Sequence, residues 1–237
     1  MRLGRAPVTS QLSRLALAGR TGVLRIPGNH TGTIRLYQGM VTHVESSGTP
    51  GLDSRLARWS TTPDAGTPGA LTRAWVLREA ICDAALAMLT GAPRSGRFTA
   101  GDTPGPDGDA AMTVAEMLTE VNRRLEVIRQ LPAAAPADTV VVRNPRLSAR
   151  GVHVSASQWA LLVRMNEATT PRQLAIGCGT SVFTTTLQVF RLITMDLVTT
   201  AGGPPPDQRT VSFIRATASW AAAPGTATAH ATRGIGQ

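Results

Sequence analysis

The chain has no lysine: all 24 basic residues are arginine, set against 15 acids for a net charge of +9. Two cysteines and nine aromatic residues (four Phe, four Trp, one Tyr) are spread over 237 residues. Cys82 and Cys178 stand alone with no C-x-x-C spacing, which argues against a disulfide framework or a zinc site. Set in apolar surroundings, they read as buried free thiols. With so few aromatics, Ala, Val and Leu have to supply most of the core. No apolar run approaches the roughly 18–20 residues that span a bilayer. The first twenty residues contain no uninterrupted apolar stretch, so no signal peptide is expected. The expectation is a soluble, cytoplasmic protein with no membrane partner. Arginine throughout, with abundant Ala, Gly and Pro, points to a GC-rich coding genome of the actinobacterial kind. The arginine bias is therefore weak evidence for function.

Catalytic signals are equally scarce. His30, His43 and His153 have no metal-ligand spacing, so neither metal nor cofactor is expected. Ser155, Ser157 and Ser181 stand where helix caps belong and are better explained so than as nucleophiles. Gly91 to Gly96 has the two glycines of a phosphate loop, but Arg97-Phe98 replaces the Lys-Ser/Thr and the stretch follows a helix. Gly177-Cys178-Gly179 reads as a turn between helices. The sequence points to a protein that binds and does not catalyse.

What is present divides the chain. Residues 1–100 hold 12 arginines against 5 acids, residues 101–137 hold 3 against 6, and residues 138–203 hold 6 against 3. Val8, Leu12, Leu15 and Ala16 repeat at helical spacing. Gly22–Ile26, Thr33–Tyr37 and Met40–Glu45 alternate as strands, the last two joined by a tight Gln38-Gly39 turn. Together they predict an antiparallel meander. A short helix is expected at Leu52–Trp59, a longer one at Ala74–Leu89, and a strand at Arg97–Thr99 that could close the sheet. Trp59, Trp75 and Trp159 read as core or interface residues.

Thr113 and Glu116 form a capping box for a helix that runs to Gln130. Its stripe Val114, Met117, Leu118, Val121, Leu125, Ile128 packs either against its own domain or along a homodimer seam. Arg123, Arg124 and Glu120 fall on its polar face, with Glu120 and Arg124 spaced to pair. The proline-rich stretch 132–138 is a linker.

Beyond it, Thr139–Arg143 and Gly151–Val154 read as short strands. Three helices follow: one around Trp159 capped by Ser155 or Ser157, one begun by Thr170-Pro171, and one from Thr180 or Ser181 through Met195. Leu197–Thr200 and Thr210–Ile214 could be two wing strands. That order predicts a winged helix-turn-helix domain over 139–215, ahead of a disordered tail, 216–237. The outward positions of its third helix would be Thr184, Thr185, Gln188 and Arg191. Gln and Arg can read adenine and guanine edges. Arg164, Arg172 and Arg209 would add phosphate contacts, but a tight DNA binder makes about 6–10 of these. DNA and protein both remain open as partners for this domain.

Thr21-Gly22-Val23-Leu24-Arg25, then Gly32, Ile34, Gly39, Val41 and His43, then Gly96-Arg97-Phe98 match a recognisable pattern. Over about residues 8–100 it resembles a PATAN-like domain, a module of bacterial signalling proteins. The segment around Gln158-Trp159, Thr170-Pro171 and Val182 to Leu187 resembles the winged helix found behind such domains. The resemblance implies an α+β regulator: an interaction domain over 1–131, then the winged helix. Its partner would be another signalling module or a second copy of itself. A DNA-binding transcriptional regulator and an accessory subunit of a larger assembly are the alternative readings.

Overall fold

The Gln38-Gly39 turn sets the architecture. Both residues take positive φ, 49° and 81°, as a tight hairpin of right-handed strands requires. A side chain at Gly39 would also strike the Ala16 carbonyl, so the turn can lie against the end of the first helix only as glycine. The computed structural model describes residues 7–60, 69–90, 95–102, 105, 111–131, 136–146, 151–165 and 167–201. All of them belong to one compact unit.

The molecule is α+β. β1 (Gly22–Ile26), β2 (Gly32–Tyr37) and β3 (Met40–Ser46) form the expected meander. β4 (Arg97–Ala100) pairs with β1 at one edge, setting Phe98 opposite Leu24. At the other edge β3 pairs with β5 (Met112–Thr113), which sequence reading did not foresee. The five strands run β4-β1-β2-β3-β5, all antiparallel.

Alternation gives this sheet one apolar face: Leu24, Ile26, Ile34, Leu36, Val41 and Val44 are buried. A bulge keeps the pattern inward on β3. Arg35 faces His43 but Leu36 faces Val41, so Thr42 is the extra residue and Val41 and Val44 both reach the core. The opposite face carries Arg25, Arg35, Tyr37, His43 and Glu45, half-buried or exposed.

Three helices contribute to the core on the apolar side. α1 (Val8–Leu17) contributes Val8 and Leu12. α3 (Ala70–Thr90) is buried from Ala80 through Leu86 without a break. α4 (Val114–Arg129) starts at the foreseen capping box, Thr113 with Glu116. Its stripe is spent internally: Val114, Met117 and Val121 are buried in the same core, with Leu118, Leu125 and Ile128 packed against it. The homodimer seam is therefore corrected to intrachain packing. Arg124 is corrected too. Only 2 % exposed, it faces inward despite its place on the polar side of the helical pattern.

A second apolar cluster holds the later elements. β6 (Val141–Arg143) pairs with β7 (Val198–Thr200) as an antiparallel ribbon. Around it lie α5 (Ala156–Arg164), α6 (Pro171–Cys178) and α7 (Val182–Thr194). Ser155, Thr170 and Ser181 cap their N-termini, the first two as full capping boxes. Residues 151–154 are not a strand, which corrects that expectation. Val152 and Val154 pack against this cluster instead of pairing with any described strand. Residues 91–94, most of the linker (132–135), the second wing strand at 210–214, Arg209 and the tail 216–237 lie outside the described residues.

Candidate functional site

α2 (Leu52–Ser60) crosses the α6–α7 turn, and the meeting point requires glycine. Gly179 caps α6 in the left-handed region, φ 61° and ψ 32°. A β-carbon there would lie 2.7 Å from the Ser54 carbonyl oxygen.

Directly beside this crossing, α3 supplies the most unusual group in the molecule. Asp83 lies inside a continuously buried run, its side chain fully inaccessible. A buried carboxylate must be satisfied on all sides or it costs several kcal/mol. The N-terminus of α7 does this. Val182 N donates to Asp83 Oδ2 at 2.8 Å, Phe183 N to Oδ1 at 3.0 Å, and Ser181 Oγ to Oδ1 at 3.0 Å. The first amides of a helix have no partners of their own and carry partial positive charge, so the carboxylate completes them. Arg55 on α2 neutralises it through Nη2 and anchors Nε on the Pro50 carbonyl at 3.2 Å. One aspartate thus joins α2, α3 and α7.

A second buried cation lies nearby. Arg124 pairs with Glu79 on α3 and, through Nε at 2.7 Å, with Glu120 one turn back. Its guanidinium also stacks 5.0 Å from the centre of the Phe183 ring. The Nη1 of that guanidinium is buried with no hydrogen-bond acceptor among the described residues. Hydrogen bonds from Arg123 first, and then Arg124, pull the Glu120 carboxyl down to about 2. Burial pushes the Cys82 thiol on α3 up to about 11, so it is a poor nucleophile at neutral pH. Cys178 is only half-buried.

Outside this junction two adjacent hollows, about 340 and 630 Å³, share Arg58, Gly179, Thr180 and Thr184. Trp75 and Glu79 line the smaller; Leu161, Arg164, Ile176 and Gln188 line the larger.

The expected contact residues separate here. Thr184 is exposed and lines both hollows. Thr185 does not face outward as expected. It is 2 % exposed, its hydroxyl bonded to that of Thr180 at 2.9 Å. Gln188 is half-buried, and its Oε1 is enclosed with no donor among the described residues. Arg191 is also half-buried. The reason is that α7 packs on two sides: Phe183 and Leu187 belong with the first core, Val189, Leu192 and Ile193 with the second. Arg172 is held in place structurally, forking onto both Asp138 oxygens at 2.6 and 2.9 Å and onto the Gly48 carbonyl at 2.7 Å. Arg164 is exposed, one nitrogen on the Gly177 carbonyl at 3.1 Å.

His43 bonds to Glu45 at 2.9 Å and His30 lies 3.7 Å from Asp138. Among the described residues no group of three or more His, Cys, Asp or Glu is placed to hold a metal ion. No helix among them is long and apolar enough to cross a membrane. Trp75 and Trp159 are not core residues: they are 58 % and 61 % exposed. Each has an exposed apolar neighbour one turn away, Leu71 at 88 % and Val163 at 52 %. Comparisons with protein-family models, curated proteins and solved structures gave no match.

Proposed function

We propose that the chain is a non-catalytic regulatory protein that works by protein–protein interaction, of the PATAN-like signalling kind, with a winged-helix module over 139–215. The observation that carries the interaction reading is the pair of exposed apolar ridges, Leu71 with Trp75 on α3 and Trp159 with Val163 on α5. Large aromatic side chains left on solvated helices are the usual anchors of protein interfaces, where they supply a disproportionate share of binding energy. Three capped helices followed directly by a strand support the winged-helix reading.

The rival is sequence-specific DNA binding through α7. It has Arg164 and Thr184 on the surface in its favour, but it needs Thr185 and Gln188 turned outward as well. The test is capture of partners from a lysate by the full chain and by a Trp159→Asp/Val163→Asp variant. Both replacements are on exposed positions, so folding should be unaffected. The interaction reading expects a stoichiometric partner held by the native chain and lost from the variant. A salt-dependent gel shift with genomic fragments, reduced by Arg164→Ala and indifferent to the double variant, would instead establish the DNA reading.

A further inference from the structure

β4 ends the sheet on one side, and its register shows where its backbone points. Arg97 and Thr99 stand opposite Arg25 and Val23, and further along the Gly101 amide bonds to the Thr21 carbonyl at 3.5 Å. In an antiparallel pair every second residue exchanges bonds with its neighbour, and the residues between point away. Arg97, Thr99 and Gly101 therefore turn their backbone groups to β1, while Gly96, Phe98 and Ala100 turn theirs to the outer edge. Gly96 bears this out. Gln11 on α1 forks onto it, Nε2 donating to its carbonyl and Oε1 accepting from its amide, both at 3.1 Å. That carboxamide stands in for the peptide group of a neighbouring strand. Phe98 and Ala100 continue the same edge with no strand beside them among the described residues. Arg97, Thr99 and Ala100 are exposed.

We propose that this edge takes an extended segment of a protein partner as a further antiparallel strand, bonded to the backbone of Phe98 and Ala100. Edge amides and carbonyls without partners are a template for such addition. The side chains select the segment. On the open face Arg97 lies across from Arg25, and neither has an ion pair among the described residues. An acidic side chain beside Arg97 would complete that row. On the core side Phe98 is half-buried against the first core, which favours an apolar neighbour. Successive side chains of a strand point to opposite faces, so alternating acidic and apolar residues meet both demands. A second copy of this chain is the wrong occupant: two β4 edges would set both arginine rows on one continuous face. A free anion would satisfy the arginines and leave the backbone groups of the edge unmet. The proposal extends the interaction reading to a second surface and does not need the ridges of α3 and α5.

The test uses the full chain and a fluorescein-labelled peptide of alternating Val and Glu, followed by fluorescence anisotropy. The expectation is saturable binding that depends on the peptide's own backbone. N-methylation at the Val positions, whose amides would point at β4, should weaken it about tenfold or more. N-methylation at the Glu positions, whose amides would point away, should keep it within about threefold. Ala100→Pro removes an outward amide and no bond to β1, so affinity should fall about tenfold while the melting temperature holds. Arg97→Glu should lose the acidic peptide and gain one of alternating Val and Lys. Arg143→Glu, an exposed reversal on β6, should leave binding within about twofold. Thermal melts of each variant separate lost binding from lost folding, and the N-methylated pair decides the matter even if Ala100→Pro does not fold. Equal affinity for the two N-methylated peptides, no binding at millimolar peptide, or an equal loss in Arg143→Glu would overturn the proposal. So would a dimer in light scattering that Ala100→Pro abolishes, which would assign the edge to a second copy. If the peptide fails while the native chain still captures a partner from the lysate, the edge assignment falls and the interaction reading stands. If the peptide binds as expected and no partner is captured, the edge assignment stands and the ridges lose their support.

Discussion

Arg55 and Arg124 sit among carboxylates inside the protein, whereas Arg25 and Arg97, both exposed, stand opposite each other across the β1–β4 pair. The same side chain does different work in the two regions. At the junction of α2, α3, α4 and α7, burial forces each guanidinium to find an anion, and the pairs tie the elements together. On the open face of the sheet, Arg25 and Arg97 stand in register as like charges, exposed to the water that solvates them. A net charge of +9 therefore says little about a binding site. What matters is which arginines are already committed to a structural partner.

The sharpest way to break this contrast is Asp83→Ala. It strips the cap from α7 and leaves Arg55 as an uncompensated buried charge. Denaturant unfolding should show a loss of about 3–5 kcal/mol, or no folded protein. A loss under about 1 kcal/mol would mean that the aspartate is not the organising contact.

A smaller, pH-dependent effect belongs to Glu120. Its carboxyl is lowered from an ordinary 4.5 to about 2, first by Arg123 and then by Arg124. A depressed carboxylate stabilises the fold fully above its unfolded value, and the contribution fades as pH falls toward the folded one. Stability should therefore decline between pH 4.5 and about 2, and Glu120→Gln should flatten that part of the profile. Urea midpoints across the interval measure it.

The smallest effect should come from Arg97→Glu, which turns the Arg25–Arg97 pair from repulsive to attractive. A change of about 0.2–1 kcal/mol in the stabilising direction is expected from thermal melts. Marked destabilisation would show that the open face does structural work after all.

What was legible in the sequence was local. Thr113 with Glu116 and Thr170 with Pro171 announce helix starts within four residues, and Gln38-Gly39 announces its hairpin in two. The PATAN-like and winged-helix likenesses rested on such local signals. The candidate site did not. Helical periodicity assigns Asp83 and Arg124 to polar faces because it assumes one buried side per helix. α3 and α4 are instead also closed in by the packing of α7, which is distant in sequence. One signal was available for Asp83: a single acid inside Ile81-Cys82-Asp83-Ala84-Ala85-Leu86, where nothing else is polar. Thr185 and Gln188 were misplaced for the same reason, since α7 has two packed sides and little free surface. β5 is two residues long and forms only because β3 offers an edge.

Asp83 also has a consequence in time. It precedes the hydroxyl and the two amides that donate to it by 98 to 100 residues. At roughly 5–20 residues per second of synthesis, α7 follows it by about 5–20 seconds. During that interval the carboxylate lies in an apolar helix with its eventual partner still unmade. Arg55, already synthesised 28 residues earlier, is the one cation of the junction at hand. Arg55 is therefore the junction's only counter-ion for Asp83 that is already synthesised when Asp83 is made.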